Sequence, residues 1–545
     1  MPTVLCEGHP LDLGTADFVA QGGQASVYAR AGKAYKVFTD PTHVPPRAKL
    51  AALGALARPG IVAPEADLFD PSGTRVGFRM SLLDGWHPLI RLVPPAYRQR
   101  HGLDAAHIAA RVLELRALVA HAHAHQARVV DLNEVNVLVA PDHAALALID
   151  VDSWQLPGFP ASALAESVRD RHSSAFTEQT DWFAFAIVTF QLFAGIHPFR
   201  GRHPVAKTLD ERMQKNLSVF HPDVVVPPMV DLDALPPTWR DWYEALFVYG
   251  DRTAPPTSLT AAAPRAPRSL PGATIDVHAL FTLPDPVLGV ASWDGRTWAW
   301  SQAGLYEGRR RLGPAPPAGA LPFRAPAGIA FALPSTGPLE IQRADGSRFT
   351  SGLLVSDLSA HAGMLHGRTG TALVELTLSV FANEPVLTAR TATQVAPHAT
   401  RLYRGVAVTS MLGSVWLSLL TPGRCTQLRV EALNGLQVID AIHAGGLTVL
   451  VTRDPRPGSS GFTRHLLGPD GLSSTPTAIP AAELLVLPTG VAIVPTETGL
   501  ELFLAAHPSR GARSVQVDLP AVLLDVGGKP GFLHGDAVHT VALRR

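Results

Sequence analysis

Asp131 and Asn136 stand five residues apart in Val130-Asp-Leu-Asn-Glu-Val-Asn136, and an apolar run to Val139 follows them directly. A second apolar run, Leu146-Ala-Leu-Ile, ends in Asp150-Val-Asp152. A carboxylate can take the proton of a hydroxyl, and carboxylate and amide oxygens are the hard ligands that magnesium prefers. Upstream, Ala20-Gln-Gly-Gly-Gln-Ala-Ser-Val-Tyr28 reads as a glycine turn between two strands, where backbone N–H groups could approach phosphate oxygens. Lys36, in Ala34-Tyr-Lys-Val-Phe38, is a cation among apolar strand residues and needs an anionic partner.

The elements that would position these groups are mixed. Strand-like runs at 26–28, 34–38 and 76–80 alternate with helical runs at 47–56, 105–124 and 182–193. From 254 to 272 five prolines and five alanines form a stretch expected neither to pack nor to pair, a linker. Beyond it helical periodicity gives way to short alternating runs. A glycine followed by a strand-like run recurs at Gly289, Gly328, Gly363, Gly405, Gly446, Gly490 and Gly531, at intervals of 35 to 44 residues. Units of about forty residues with four short strands are the blades of a β-propeller. Seven starts predict seven blades, with residues 275–281 completing the last and closing the ring. Recurrent Gly-His and Trp-Asp pairs are absent, so this is not a regular WD40 array; the competing architecture is two stacked β-sandwiches. Trp293, Trp298 and Trp300 fall together in one blade, which with Trp416 predicts core packing.

In order and spacing, the motifs of residues 12–253 resemble the eukaryotic-like (Hanks-type) serine/threonine protein kinases. Ala20–Tyr28 resembles the nucleotide loop and Lys36 the lysine of Val-Ala-Ile-Lys. The segment at 130–136 resembles the catalytic loop, and Asp150-Val-Asp152 the Asp-Phe-Gly motif. Thr180-Asp-Trp-Phe-Ala-Phe-Ala and Gly195-Ile-His-Pro-Phe199 resemble the Asp-x-Trp helix and its ending. The resemblance implies an α+β bilobal kinase-like domain (12–253), a linker (254–272) and a propeller-like domain (273–545). It implies ATP and Mg2+ as cofactors. Ala20, Gly22, Gly23, Val27, Lys36, Met80 and Leu83 would surround the nucleotide. Asn136, Asp150 and Asp152 would hold metal, and Asp131 would orient and deprotonate the attacking hydroxyl. Variant details point to a divergent bacterial branch often encoded beside a PP2C-type phosphatase, a functional antagonist, and a von Willebrand A-type domain. Protein substrates are expected, recruited through the cleft and the propeller. A nucleotide-binding pseudokinase scaffold and a small-molecule kinase are the alternatives.

The sequence also departs from that family. Ala20 and Ala25 replace two loop glycines, Val130 the usual arginine and Asn133 the usual lysine. The helix at 47–56 carries Lys49 where a glutamate would pair with Lys36, so Lys36 is expected to find Glu65, Asp67 or Asp150. Either Asp150 or Asp152 could be the principal metal ligand, with Asp150 favoured by its distance from Asn136. Arg252 is expected to pair with Glu166, or else Glu178. His121, His123 and His125 share a helix and are read as packing residues instead of a metal site.

Composition bounds the rest. With 46 basic and 46 acidic residues in 545, the chain has no net charge, against a duplex-DNA binder or polybasic membrane anchor. Cys6 and Cys425 cannot form a disulfide framework, and a cytoplasmic setting is expected. The apolar run at 182–199 is read as a core helix, not a membrane span.

Overall fold

The computed structural model describes residues 2–162, 164–227, 230–259, 275–333, 337–454, 461–468, 476–479, 483–496, 499–505, 513–515 and 522–543. The chain is multidomain, with an N-terminal mixed α/β region followed by a propeller-like region of small four-stranded antiparallel sheets.

A seven-stranded antiparallel sheet opens the N-terminal region. Across the sheet the strands run His9–Asp12, Thr3–Cys6, Pro64–Phe69, Arg75–Ser81, Lys33–Phe38, Ala25–Arg30 and Phe18–Gln21. Lys36 faces Val27 on one side and Phe78 on the other, while Ala34 faces Met80. Alternation along the strands therefore puts Val27, Lys36, Phe78 and Met80 on one face. Gly77 lets the strands meet here, because a Cβ at that position would collide with the Lys36 carbonyl oxygen.

Six helices follow in chain order: α1 (Arg47–Gly54), α2 (Pro95–Arg100), α3 (Ala105–Ala124), α4 (Glu178–Ala194), α5 (Leu209–Gln214) and α6 (Pro237–Phe247). Nearly every side chain of α4 is buried, and its start is fixed by a capping box between Thr177 and Thr180. Of the apolar run 182–199 read as a core helix, residues 182–194 lie in it, and Gly195 at φ 72° ends the helix before 196–199. Among the described residues no helix is long and apolar enough to cross a membrane. Tyr243 of α6 donates to Thr189 of α4 at 2.9 Å inside an aromatic cluster with Phe190 and Phe247.

Seven four-stranded sheets make up the second region among the described residues. Their first strands are Gly289–Trp293, Leu321–Ala325, Leu358–His361, Thr400–Tyr403, Gln437–Ala444, Leu485–Leu487 and Leu524–Val526. From the second to the seventh each lies beside the next, and the seventh lies beside the first. Ile275–Thr282 pairs with Ala537–Leu543 and so completes the last sheet from the opposite end of the region, as expected.

The glycine repeat has a physical origin. A glycine at positive φ precedes or opens the second strand of every sheet: Gly295, Gly328, Gly363, Gly405, Gly446, Gly490 and Gly528. The hairpin turn there needs a left-handed residue. Two positions read from sequence are thereby corrected, since Gly289 begins a first strand and Gly531 lies inside a second strand. The tryptophans divide as well. Trp298 is fully buried, and Trp293 and Trp300 pack against the same core while lining a cavity, whereas Trp416 is exposed, contrary to the expected core packing.

The linker expectation also needs correction at its start. Pro255 is buried and its carbonyl accepts from Arg116 at 3.3 Å, and Trp239 Nε1 donates to the Ser258 carbonyl at 2.9 Å. Pro255 and Leu259 pack while Ala254, Thr257 and Ser258 stay exposed, and guanidinium and indole donors from α3 and α6 take up the Pro255 and Ser258 carbonyls. Residues 260–272 lie outside the described residues.

The two regions share one apolar core, in which Ile439, Ile442, Val449, Val451 and Leu466 join residues of the first half. Arg453, at the end of a strand in the fifth sheet, donates to Glu134 at 3.0 Å and to Ser167 at 3.4 Å.

Candidate functional site

Two antiparallel strands, Val137–Val139 and Leu146–Leu148, form the hairpin beneath the large sheet. Asn136 precedes the first strand, Asp150 follows the second by two residues, and the Ile149 amide donates to the Asn136 carbonyl at 3.0 Å. This pairing sets Asn136 beside Ile149 and so next to Asp150.

Lys36 Nζ donates to Asp150 Oδ1 at 2.8 Å and to Asp152 at 2.8 and 2.9 Å. The bridge joins the sheet to the hairpin. Burial opposes the charge on Lys36, but the two carboxylates outweigh it and hold the ammonium protonated well above the ordinary lysine range. Of the expected partners only Asp150 is found, joined by Asp152. Glu65 shares the opposite face with Arg79 and Ser81 and binds Lys33, while Asp67 binds Arg47 and Arg75. Lys49, on α1, is buried and reaches the Pro160 carbonyl at 3.3 Å; burial pulls its pKa down, against the pull of Asp152. Asp150 adopts a left-handed backbone with φ 59° before the 3-10 turn Val151–Ser153. Its side chain is half exposed and that of Asp152 is buried. Asp150 therefore presents the accessible carboxylate, with Asp152 behind it.

Asp131 accepts from Asn133 at 3.0 Å, Asn136 at 2.9 Å and the Ala165 amide at 2.6 Å. Burial raises its pKa above the ordinary aspartate value of 3.8, and those three donors pull it back only in part. Asn133 is itself buried and accepts from the Val135 and Asn136 amides, so it organises the loop instead of extending a side chain outward.

Asp181, fully buried at the start of α4, supports the loop from below. Its carboxylate accepts from the Val129 and Val130 amides, both at 2.8 Å, and from His123 at 2.9 Å. Val130 sits at φ 62°, a costly conformation for a β-branched residue. The sequence flagged Asp181 only as part of a motif; a charged residue opening an otherwise apolar helix was the available signal. His123 is thus a buried packing partner, and His125 Nδ1 contacts the His121 carbonyl at 2.9 Å.

Ala20 and Val27 are paired across the hairpin of Phe18–Gln21 with Ala25–Arg30, whose tip carries exposed Gly22 and Gly23; the Gly22 amide donates to the Ala25 carbonyl at 2.8 Å. Met80 lies near the end of its strand and Leu83, half-buried, in the segment after it. Arg252 pairs bidentately with Asp170, at 2.7 and 2.9 Å, and not with Glu166 or Glu178. Those two are engaged by Arg171 and Arg128, arginines closer to them. Burial works against the Asp170 charge, but the guanidinium and the His172 amide hold its pKa below the ordinary value.

His203, His221 and Asp223 lie close enough to share a metal ion. The chemistry does not fit. His203 Nδ1 accepts from the Val205 and Ala206 amides, at 3.1 and 2.9 Å, so the neutral ring carries its proton on Nε2 and has no lone pair there.

No protein-family model and no curated protein matches this chain.

Proposed function

We propose that the N-terminal region is a bilobal Hanks-type kinase domain that transfers a phosphoryl group from Mg-ATP to serine or threonine hydroxyls of proteins. We propose also that the C-terminal region is a seven-bladed propeller serving as its recruitment platform. The observation that carries the reading is the Lys36 bridge to Asp150 and Asp152 beside the Asp131–Asn136 loop. It gathers a cation, metal-binding oxygens and a candidate base from three separate segments. The donor set fits magnesium, since it offers carboxylate and amide oxygens without sulfur or imidazole.

In this mechanism Lys36 exchanges its carboxylate partners for nucleotide phosphates. Asp150 and Asn136 would hold a magnesium ion with Asp152 in support, and that ion would supply charge neutralisation at the phosphates. Asp131 orients the hydroxyl and accepts its proton. Phosphoryl transfer passes through a loose transition state, so position and charge neutralisation provide most of the acceleration. Val27 and Met80, on the same sheet face as Lys36, flank the nucleotide.

One contact favours the second reading, a pseudokinase scaffold. The Ala165 amide sits on the Asp131 carboxylate, where a substrate hydroxyl would have to bind. Incubation with γ-labelled ATP, beside Asp131→Ala and Asp150→Ala, separates the readings. Label transferred by the wild type alone supports the kinase. Nucleotide binding with no transfer to protein supports the scaffold, and label on sugars or amines instead of protein supports a small-molecule kinase.

A further inference from the structure

A cavity of about 420 Å³ lies on the axis of the second region, lined by residues at or beside the first strands of all seven sheets. Its volume falls within the range of sites for small organic ligands. The first half closes one end, contributing Tyr97, Arg100 and His101 from α2 and the residue after it.

Cations and carboxylates both line the cavity, Arg91, Arg100 and Arg404 with Asp142, Asp357, Asp440 and Asp525, and burial raises the pKa of Asp357 and Asp525. Arg404 donates to Asp440 at 2.6 Å, and Arg91 lies over the rings of Tyr97 and Tyr403 while contacting His87 Nδ1 at 3.1 Å. Arg100 has no hydrogen bond or ion pair among the described residues. Burial pulls its pKa down to about 9 and neighbouring Arg404 adds to that pull, against the opposing influence of Asp440, Glu483 and Tyr97. His361 Nε2 and Gln99 Oε1, both beside the cavity, are also buried without partners. A buried guanidinium left unpaired is costly unless something else supplies the anion.

The remaining wall is aromatic. Trp293 and Trp300 face the space, and His101 stacks on Tyr97 at 4.2 Å with an interplanar angle of 26°. Flat rings and a guanidinium fork together select planar molecules bearing an anionic group.

We propose that this axial cavity binds a small aromatic anion, a ring bearing a carboxylate or phosphate, with the anionic group on Arg100 and the ring against Trp293 and Trp300. This is a site separate from the Lys36 cleft, and it stands whether or not that cleft transfers phosphate.

The test is isothermal titration of the full chain with phenyl phosphate, benzoate and inorganic phosphate. One saturable site per chain is expected for phenyl phosphate, benzoate or both, with inorganic phosphate at least tenfold weaker than the better aromatic probe. Arg100→Gln should weaken that probe at least tenfold and Trp300→Ala at least fivefold. Arg100→Lys, which keeps the charge but loses the fork, should fall between wild type and Arg100→Gln. Thermal melts of each variant confirm folding. The proposal is overturned by the absence of saturable binding for both aromatic probes, or by equal affinity in folded Arg100→Gln or Arg100→Lys.

Discussion

At the scale of single residues, Lys36 is the group on which the candidate site turns. The sequence announced it as a cation in an apolar strand, yet it could not name the partner. Glu65 and Asp67 were nearer along the chain, but strand alternation turns Glu65 to the other face and arginines claim Asp67. Asp152, more than a hundred residues away, arrives only because the hairpin folds beneath the sheet. Removing one member of a buried pair strands the other charge, at a cost of about 3–5 kcal/mol. Lys36→Met should therefore lower stability by about that amount in urea denaturation. Lys36→Met combined with Asp152→Leu should recover much of the loss, and neither variant should transfer phosphate. If the single variant is as stable as the wild type, the bridge is not a buried charge pair. Asp131 makes a further prediction. Its raised pKa means that, as the pH falls, the base is protonated before an ordinary aspartate would be. The acid limb of kcat/KM for the proposed transfer should accordingly lie above 3.8 and disappear from the residual rate of Asp131→Asn.

Whole elements explain why the loop around Asp131 holds its shape. Motif spacing made the loop legible; the strained Val130 backbone and the buried carboxylate that sustains it were not, because both depend on α4 docking under a segment fifty residues earlier. Asp181→Ala leaves two backbone amides and one imidazole nitrogen buried without their acceptor, at about 1–3 kcal/mol each. The expected result is a loss of at least about 3 kcal/mol by urea denaturation, and loss of transfer activity even though Asp131 remains. A stability change below about 1 kcal/mol would mean that Asp181 is not what holds the loop. The second half shows the opposite balance. Its repeat was readable because every sheet needs a left-handed residue at one hairpin, and glycine marks that need in any sequence. The phase slipped at Gly289 and Gly531, where a glycine with an apolar run occurs inside or at the start of another strand.

For the molecule as a whole, a prediction comes from what the packed interior does to histidine. Composition and the proline-rich linker left open whether the halves touch, because interface pairs such as Arg453–Glu134 and Glu483–Ala96 depend on tertiary placement that no local pattern carries. Packing buries His197 between α4 and Arg453's surroundings, His143 near Arg91, and His361 beside the axial cavity. Burial is the largest cause in each case. Nearby arginines add to it, partly offset at His197 by the Ser167 carbonyl, and the pKa values fall to about 3 for His197, about 4 for His143 and about 3 for His361. The unfolded chain binds protons at these positions below pH 6.5, whereas the folded chain does not. Their contribution is thus complete above 6.5 and is lost progressively as the pH falls toward 4 and 3. Each ring costs up to about 1.4 kcal/mol per pH unit in that window. Asp357 and Glu483, whose pKa values burial raises, act in the other direction and offset part of the slope. Thermal melts at about pH 7, 6 and 5 should show a falling midpoint, and His361→Gln should flatten the fall without abolishing it, because His197 and His143 still titrate. A midpoint unchanged across that range would mean that these rings are not held neutral inside a joined core.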